Sequence, residues 1–354
     1  VNVEGDLELS SVRQQLTGTP DLVVWGLGAL GHGVLTDIAL RHPHRRFTAI
    51  TRNPLRTNEL PPNVALEDIG VLGRDDAPVL VCVADDEEAV LRPYLADGRP
   101  DVARSVVARR NRRIFDPRRI GDRLRDRTVL MITNPVELMC AHLARIGGCR
   151  AVYGVGMQVD AERFRDVLWA GWGIWLDAEE LPVTGMHGLE PIPVLSAVPG
   201  LAARIVEPPW TVVCDRLRAA TGESRLEWLL QPHKLTAALD RLRPLPDDDP
   251  YRRLGIAVTA LTAAEFNGWH PPVHRASRHV TELVDSWFDE GRVRVSAACR
   301  WPVAGGAEVF LGGGLDLSTG SFGVPDLNAT EFERVTHQVE TVLALAAAGE
   351  ESRP

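Results

Sequence analysis

Asp21-Leu22-Val23-Val24-Trp25-Gly26-Leu27-Gly28-Ala29-Leu30-Gly31-His32-Gly33 runs a short apolar segment directly into a glycine-rich turn. Leu22 to Trp25 has the length and apolar character of a buried strand, and Val34 to Arg41 beyond the glycines has a helical pattern. A strand that runs into G-x-G-x-x-G and then into a helix is a phosphate-cradling turn. Gly26 allows the tight turn, Gly28 lets backbone approach a pyrophosphate, and Gly31 lets the helix pack on the sheet. The helix N-terminus adds partial positive charge, so Gly26, Gly28, Ala29, Leu30 and Gly31 are the candidate dinucleotide contacts.

The next apolar run, Arg46 to Asn53, is the second strand of such a unit. An acidic residue at its end would hold the adenine-ribose hydroxyls of NAD, and none is present. Thr51 and Arg52 stand there instead, with Arg56 close behind. A hydroxyl and guanidinium groups suit a 2′-phosphate, so NADP(H) is expected in preference to NAD(H).

Further strands are expected at Val64 to Leu66, Pro78 to Val83 and Thr128 to Thr133. Helical stretches are expected over Arg104 to Phe115 and Asp116 to Arg125. This alternation implies a mostly parallel, doubly wound sheet covered by helices on both faces. Asn134-Pro135-Val136-Glu137 opens a helix at a strand's C-terminal end, where ligands of open α/β sheets bind, and so Asn134 is a candidate ligand contact. From Tyr153 onward the rhythm changes. A helix is expected over Leu254 to Phe266, strands near Arg292 to Val295 and Glu308 to Leu311, and a helix over Thr330 to Ala347. The expected organisation is an N-terminal extension over 1–19, a Rossmann-type dinucleotide-binding domain over 20–152 and an α+β catalytic or substrate domain over 153–354.

In that second part, Val183-Thr184-Gly185-Met186-His187-Gly188 places a histidine in a glycine-flanked turn. Upstream, Asp160 and Arg163 stand at a spacing that puts both on one helix face. A carboxylate can orient an imidazole, and a guanidinium beside it can grip another carboxylate in a planar fork. Those three residues together suit proton exchange on a small acid.

Composition narrows the class. The chain has 354 residues, 45% hydrophobic and 25% charged, enough for a large core, and no apolar run is long enough to span a bilayer as a helix. The net charge of −9 argues against nucleic acid as a partner, and the arginine-rich run from Arg104 to Arg127 reads mainly as solvated helix faces. Five scattered cysteines form no Cys-x-x-Cys pair, so neither a metal site nor a disulfide framework is expected. Val1 to Thr19 lacks the basic start and apolar centre of a signal peptide, which points to the cytoplasm.

Taken together, the motifs resemble the lactate/malate dehydrogenase superfamily of 2-hydroxy-acid dehydrogenases. Gly26-x-Gly28-x-x-Gly31 looks like its cofactor turn, Asn134-Pro135-Val136-Glu137 like its Asn-Pro-Val-Asp element, and Asp160-x-x-Arg163-Phe164 like its Asp-x-x-Arg-Phe helix. Gly185-x-His187-Gly188 with Pro193-Val194-x-Ser196 looks like its histidine turn, and Arg104 precedes Arg110-Asn111 as the family's loop arginine precedes its Arg-Asn pair.

The resemblance implies a Rossmann sheet followed by a substrate domain, and interconversion of a 2-keto and a 2-hydroxy acid with hydride exchange at C2. His187 would donate the proton, Asp160 would orient it, Arg163 would clamp the substrate carboxylate, and Arg104 would polarise the keto oxygen from a closing loop. Val83, Ala84, Asn111 and Asn134 join the expected cofactor contacts, and Asn134 also reaches substrate. Arg92, Asp97 and Arg99 are the candidates for selecting the substrate side chain: an arginine suits a second carboxylate, Asp97 a cationic group. A homodimer or homotetramer is implied.

The chain departs from the family pattern at Ala84-Asp85-Asp86-Glu87-Glu88, where a Thr/Ser-Ala-Gly turn is usual, and in a longer segment before Arg104; both point to an unusual substrate. Ala257 stands where a threonine is usual, with Thr259 nearby. Trp169, Trp172 and Trp175 form a cluster expected to serve core or subunit packing. The competing expectation is a non-catalytic NAD(P)-binding sensor or scaffold on the same fold.

Overall fold

The computed structural model describes residues 19–52, 60–74, 76–84, 100–149, 151–177, 180–188, 190–206, 248–266, 272–289, 294–303 and 308–348. Its first half is built on β1 (Leu22–Trp25), β2 (Phe47–Ile50), β3 (Val64–Glu67), β4 (Val79–Val81), β5 (Thr128–Met131) and β6 (Ala151–Gly154). These strands run parallel in the order β3-β2-β1-β4-β5-β6. Between them lie α1 (Ala29–Arg41), α2 (Pro100–Arg112) and α3 (Val136–Gly147). This is the doubly wound arrangement, with the strand order reversing between β1 and β4.

Alternation along β1 shows why both faces need cover. Leu22 and Val24 point into a core with Val34, Leu35 and Ile38 of α1 and with Val280, Leu283 and Val284 of α6 (Pro272–Asp289). Val23 and Trp25 point the other way, toward Phe115, Leu124 and the Met139, Cys140 and Leu143 side chains of α3. Side chains of a strand alternate sides, so a strand buried on both faces reads as a continuous apolar run.

The second half adds α4 (Met157–Trp172), β7 (Val183–Met186), β8 (Glu190–Pro193), α5 (Pro250–Phe266), β9 (Arg294–Trp301), β10 (Val309–Asp316), β11 (Ser321–Gly323) and α7 (Ala329–Ala348). Its strands continue the same sheet: β9 pairs antiparallel with β6 at Gly154 and Ala298, followed by β10, β7 and β8, while β11 pairs with β10. A third core packs α4 against α5 through Phe164, Val167, Leu168, Leu254, Val258 and Leu261.

Several boundaries differ from those expected. The stretch 116–125 is two short turns, Pro117–Ile120 and Gly121–Leu124, because a glycine interrupts it. α2 begins at Pro100, the residue type best suited to a first helical position. β9 and β10 are eight-residue strands paired along their whole length, longer than the apolar pattern implied, since Gly312-Gly313-Gly314 carries no side-chain signal of a strand. Those glycines fit because a Cβ at Gly313 would lie 2.3 Å from the Phe322 ring. Among the described residues, no helix is long and apolar enough to cross a membrane.

Candidate active site

The C-terminal ends of β1, β4 and β5 deliver the Gly26 turn, Val83–Ala84 and Asn134 to one edge of the sheet. Backbone hydrogen bonds anchor the turn: Gly26 N donates to Ile50 O at 2.9 Å and Cys82 N to Trp25 O at 2.8 Å. Gly26 has φ +106°, and a Cβ there would lie 2.5 Å from Val83 N. At Gly31 a Cβ would lie 1.9 Å from Gly26 O, so α1 can start this close to β1 only without one.

Gly28 differs from both. It is exposed, and a Cβ on it would meet nothing within 4 Å. The cradle therefore requires Gly26 and Gly31 for its own packing and keeps open space before Gly28, which fits a dinucleotide pyrophosphate at the helix N-terminus. Gly31→Ala is expected to lower the melting temperature. Gly28→Ala should leave it unchanged and weaken binding of a nicotinamide dinucleotide, as read by calorimetric titration.

Thr51 lies half-buried just past β2 and Arg52 is exposed beside it, at the edge where an adenine ribose would lie. Thr133 Oγ1 donates to Val83 O at 2.8 Å and so ties the end of β4 to β5. Asn134 follows, joined to Pro135 by a cis peptide, and buried Asn111 in α2 donates its Nδ2 to Asn134 O at 2.6 Å. Arg104 falls in α2, but its side chain lies outside the described part, as does that of Thr259 in α5. Ala257 is buried in the α4–α5 core. Arg56, Arg92, Asp97 and Arg99 lie outside the described residues.

The histidine cluster is assembled as the spacing suggested. α4 presents Asp160, 1% exposed, and Arg163, 4% exposed, one turn apart on its buried face. Arg163 Nη1 donates to Asp160 Oδ1 at 3.0 Å, and Asp160 Oδ2 faces His187 Nδ1 at 2.7 Å. Gly188 N donates to that same Oδ2 at 3.2 Å. Burial works against ionisation of Asp160, but the charge and hydrogen bond of His187, then Arg163 and the Gly188 amide, outweigh it and hold the carboxyl below its usual value.

Three further groups define where the His187 ring stands, and sequence reasoning gave none of them this role. Glu137 in α3, fully buried, accepts a hydrogen bond from His187 N through Oε1. Gln338 in α7 accepts from Met186 N at 2.8 Å. Gly156, just before α4, lies under the imidazole, where a Cβ would be 2.6 Å from the ring. A Cβ at Gly156 forces the ring or the Gly156 backbone to move, so Gly156→Ala should disturb the Asp160–His187 contact, read as shifted 15N resonances of the His187 ring.

The opposite face of α4 carries Glu162, which binds Arg275 Nη1 at 3.1 Å, Arg278 Nη2 at 2.7 Å and His279 Nε2 at 2.5 Å, all from α6. Burial raises the Glu162 pKa, but these partners prevail and bring it to about 2. Glu282 Oε2 lies 3.5 Å from His279 Nδ1 and completes a trio with the spacing of metal ligands. Two guanidiniums already on Glu162 make this an ion-pair clamp between helices, since a divalent cation would be repelled by them. Of the tryptophans, Trp172 packs against the α4–α5 core, whereas Trp169 and Trp175 are 47% and 74% exposed. Core packing therefore accounts for only one of the three.

No protein-family model matches the chain, and no curated protein matches it in sequence. Among solved structures it is similar to the malate dehydrogenase of Cryptosporidium parvum, with a TM-score of 0.63 over 94% of this chain and 100% of the other, at 14% sequence identity. That likeness establishes the architecture: a Rossmann-type sheet joined to the α/β elements that follow, as in malate dehydrogenase.

Proposed function

We propose that this protein is a nicotinamide-dependent oxidoreductase that interconverts a 2-keto acid and a 2-hydroxy acid. One observation carries the reading: the His187 ring, backed by buried Asp160 and flanked by Arg163, projects from the same continuous sheet as the phosphate-cradling turn. The architecture shared with a malate dehydrogenase supports it. A bound nicotinamide would supply the hydride chemistry at C2.

The chain's own residues supply the rest. Asp160 remains ionised at neutral pH and holds Nδ1, so Nε2 is the nitrogen left to exchange a proton with the substrate oxygen. Arg163 offers a planar guanidinium, held at one nitrogen by Asp160, to the substrate carboxylate. Asn134, with its carbonyl tied to Asn111, donates to substrate or ribose. Arg104, on α2, is assigned to polarising the keto oxygen. The buried Asp160–Arg163 pair also tells substrate from other small molecules, because an uncharged analogue gives the guanidinium no second carboxylate.

Thr51 and Arg52 support a preference for NADP(H), and the exposed tryptophans Trp169 and Trp175 support assembly into a homodimer or homotetramer. A panel of 2-keto acids scored by loss of NADPH and NADH absorbance in parallel tests the reading. Turnover of at least one acid, faster with NADPH, is expected; Arg52→Ala should then narrow the NADPH advantage. No turnover with either nucleotide across the panel would leave binding without catalysis and overturn the proposal.

A further inference from the structure

His187 occupies the tip of the hairpin between β7 and β8, a place where backbone normally moves freely. Here the tip is held on two sides. Asp160 grips the ring and the Gly188 amide, while Glu137 takes the His187 amide from the opposite element, α3. Burying a carboxylate completely is costly unless it is well paired, and Gln338 shows that a neutral side chain suffices for the neighbouring amide of Met186. Glu137 also stands three residues after Asn134, whose carbonyl is held by Asn111. The expected substrate contact Asn134 thus lies two residues before the first residue of α3, Val136, and Glu137 meets the histidine turn from the first turn of that helix.

We propose that Glu137 is a positioning residue for His187. Its Oε1 sets where the turn stands relative to Asn134 and keeps the imidazole on Asp160. The proposal rests on the reading of His187 as the proton donor only for its kinetic consequence; the geometric part stands apart from it. Without Glu137 the His187 amide loses its α3 acceptor, the tip shifts, and the ring leaves the line from Asp160 to substrate.

The test uses protein labelled with 15N-histidine, with the His187 Nδ1 and Nε2 resonances assigned by their absence in His187→Asn. In the parent, Nδ1 should report a hydrogen-bonded ring. Glu137→Ala, and Glu137→Leu as a volume-preserving companion, should move both nitrogens toward the shifts of a solvent-exposed histidine, while Glu137→Gln, which keeps an acceptor, should retain the parent shifts. Where a keto acid is turned over, Ala and Leu should lower kcat about tenfold to a hundredfold with dinucleotide affinity unchanged, and Gln should restore most of it. Parent-like shifts in folded Ala or Leu variants would overturn the proposal, as would displaced shifts in Gln. If Ala and Leu do not fold, the Gln spectrum decides. The spectra read Glu137 even if no keto acid is turned over, so failure here and failure of the proposed activity are separate results.

Discussion

Replacing His187 by asparagine is expected to lower kcat by about a hundredfold to ten-thousandfold, the range spanned by loss of a general acid, with dinucleotide affinity unchanged. The reason is spatial separation. His187 is held by α4 and α3, whereas the cradle is held by β1, β2 and the end of β4. Stopped-flow single turnover and equilibrium titration of the nucleotide separate the two effects. Full turnover in this variant would remove His187 from the chemistry, and lost nucleotide affinity would mean that the two regions are not independent.

Substitution of Asp160 should cost both stability and rate. Asp160 accepts from Arg163, His187 and the Gly188 amide while almost wholly buried. Removing one member of such a buried charge cluster typically costs about 3–5 kcal/mol, because the charges that remain were desolvated for its sake. Asp160→Asn keeps the volume and loses the charge, so chemical denaturation at neutral pH should show a loss of this order. The pH dependence has a definite sign. The folded carboxyl has a lowered pKa, so its contribution is complete above the usual value of 3.8 and is lost as pH falls through the lower folded value. The stability gap between parent and Asp160→Asn should therefore be widest near neutrality and shrink below pH 3.8. A gap independent of pH would mean that folding leaves the Asp160 pKa unshifted, and one that narrows as pH rises above 3.8 would mean that the carboxyl is held as a neutral acid.

What could be read in the sequence was local chemistry. The Leu22–Trp25 strand, the three glycines and the α1 helix follow one another within one supersecondary unit, and each residue type answers a constraint set by its neighbours. Asp160 and Arg163 share a helix face by spacing alone, and the glycine-flanked His187 marked itself as unusual. Glu137 was visible only as part of a motif, since the amide it accepts from belongs to a hairpin 50 residues away. Gln338, 152 residues from its partner Met186, carried no signal at all. Gly156 reads as an ordinary loop glycine until the ring above it is located. Long-range contacts of this kind depend on the assembled sheet, in which β10 separates β9 from β7 although it follows both in the chain.

The most direct measurement of the central claim is transfer of label from NADPH carrying deuterium at C4 of the reduced ring. With a keto acid drawn from the panel, mass spectrometry of the hydroxy-acid product should find one deuterium on C2, formed by the parent protein and formed about a hundredfold to ten-thousandfold more slowly in His187→Asn. Absence of labelled product while NADPH binds the Gly28 turn would contradict the account and leave the protein a dinucleotide binder without this chemistry.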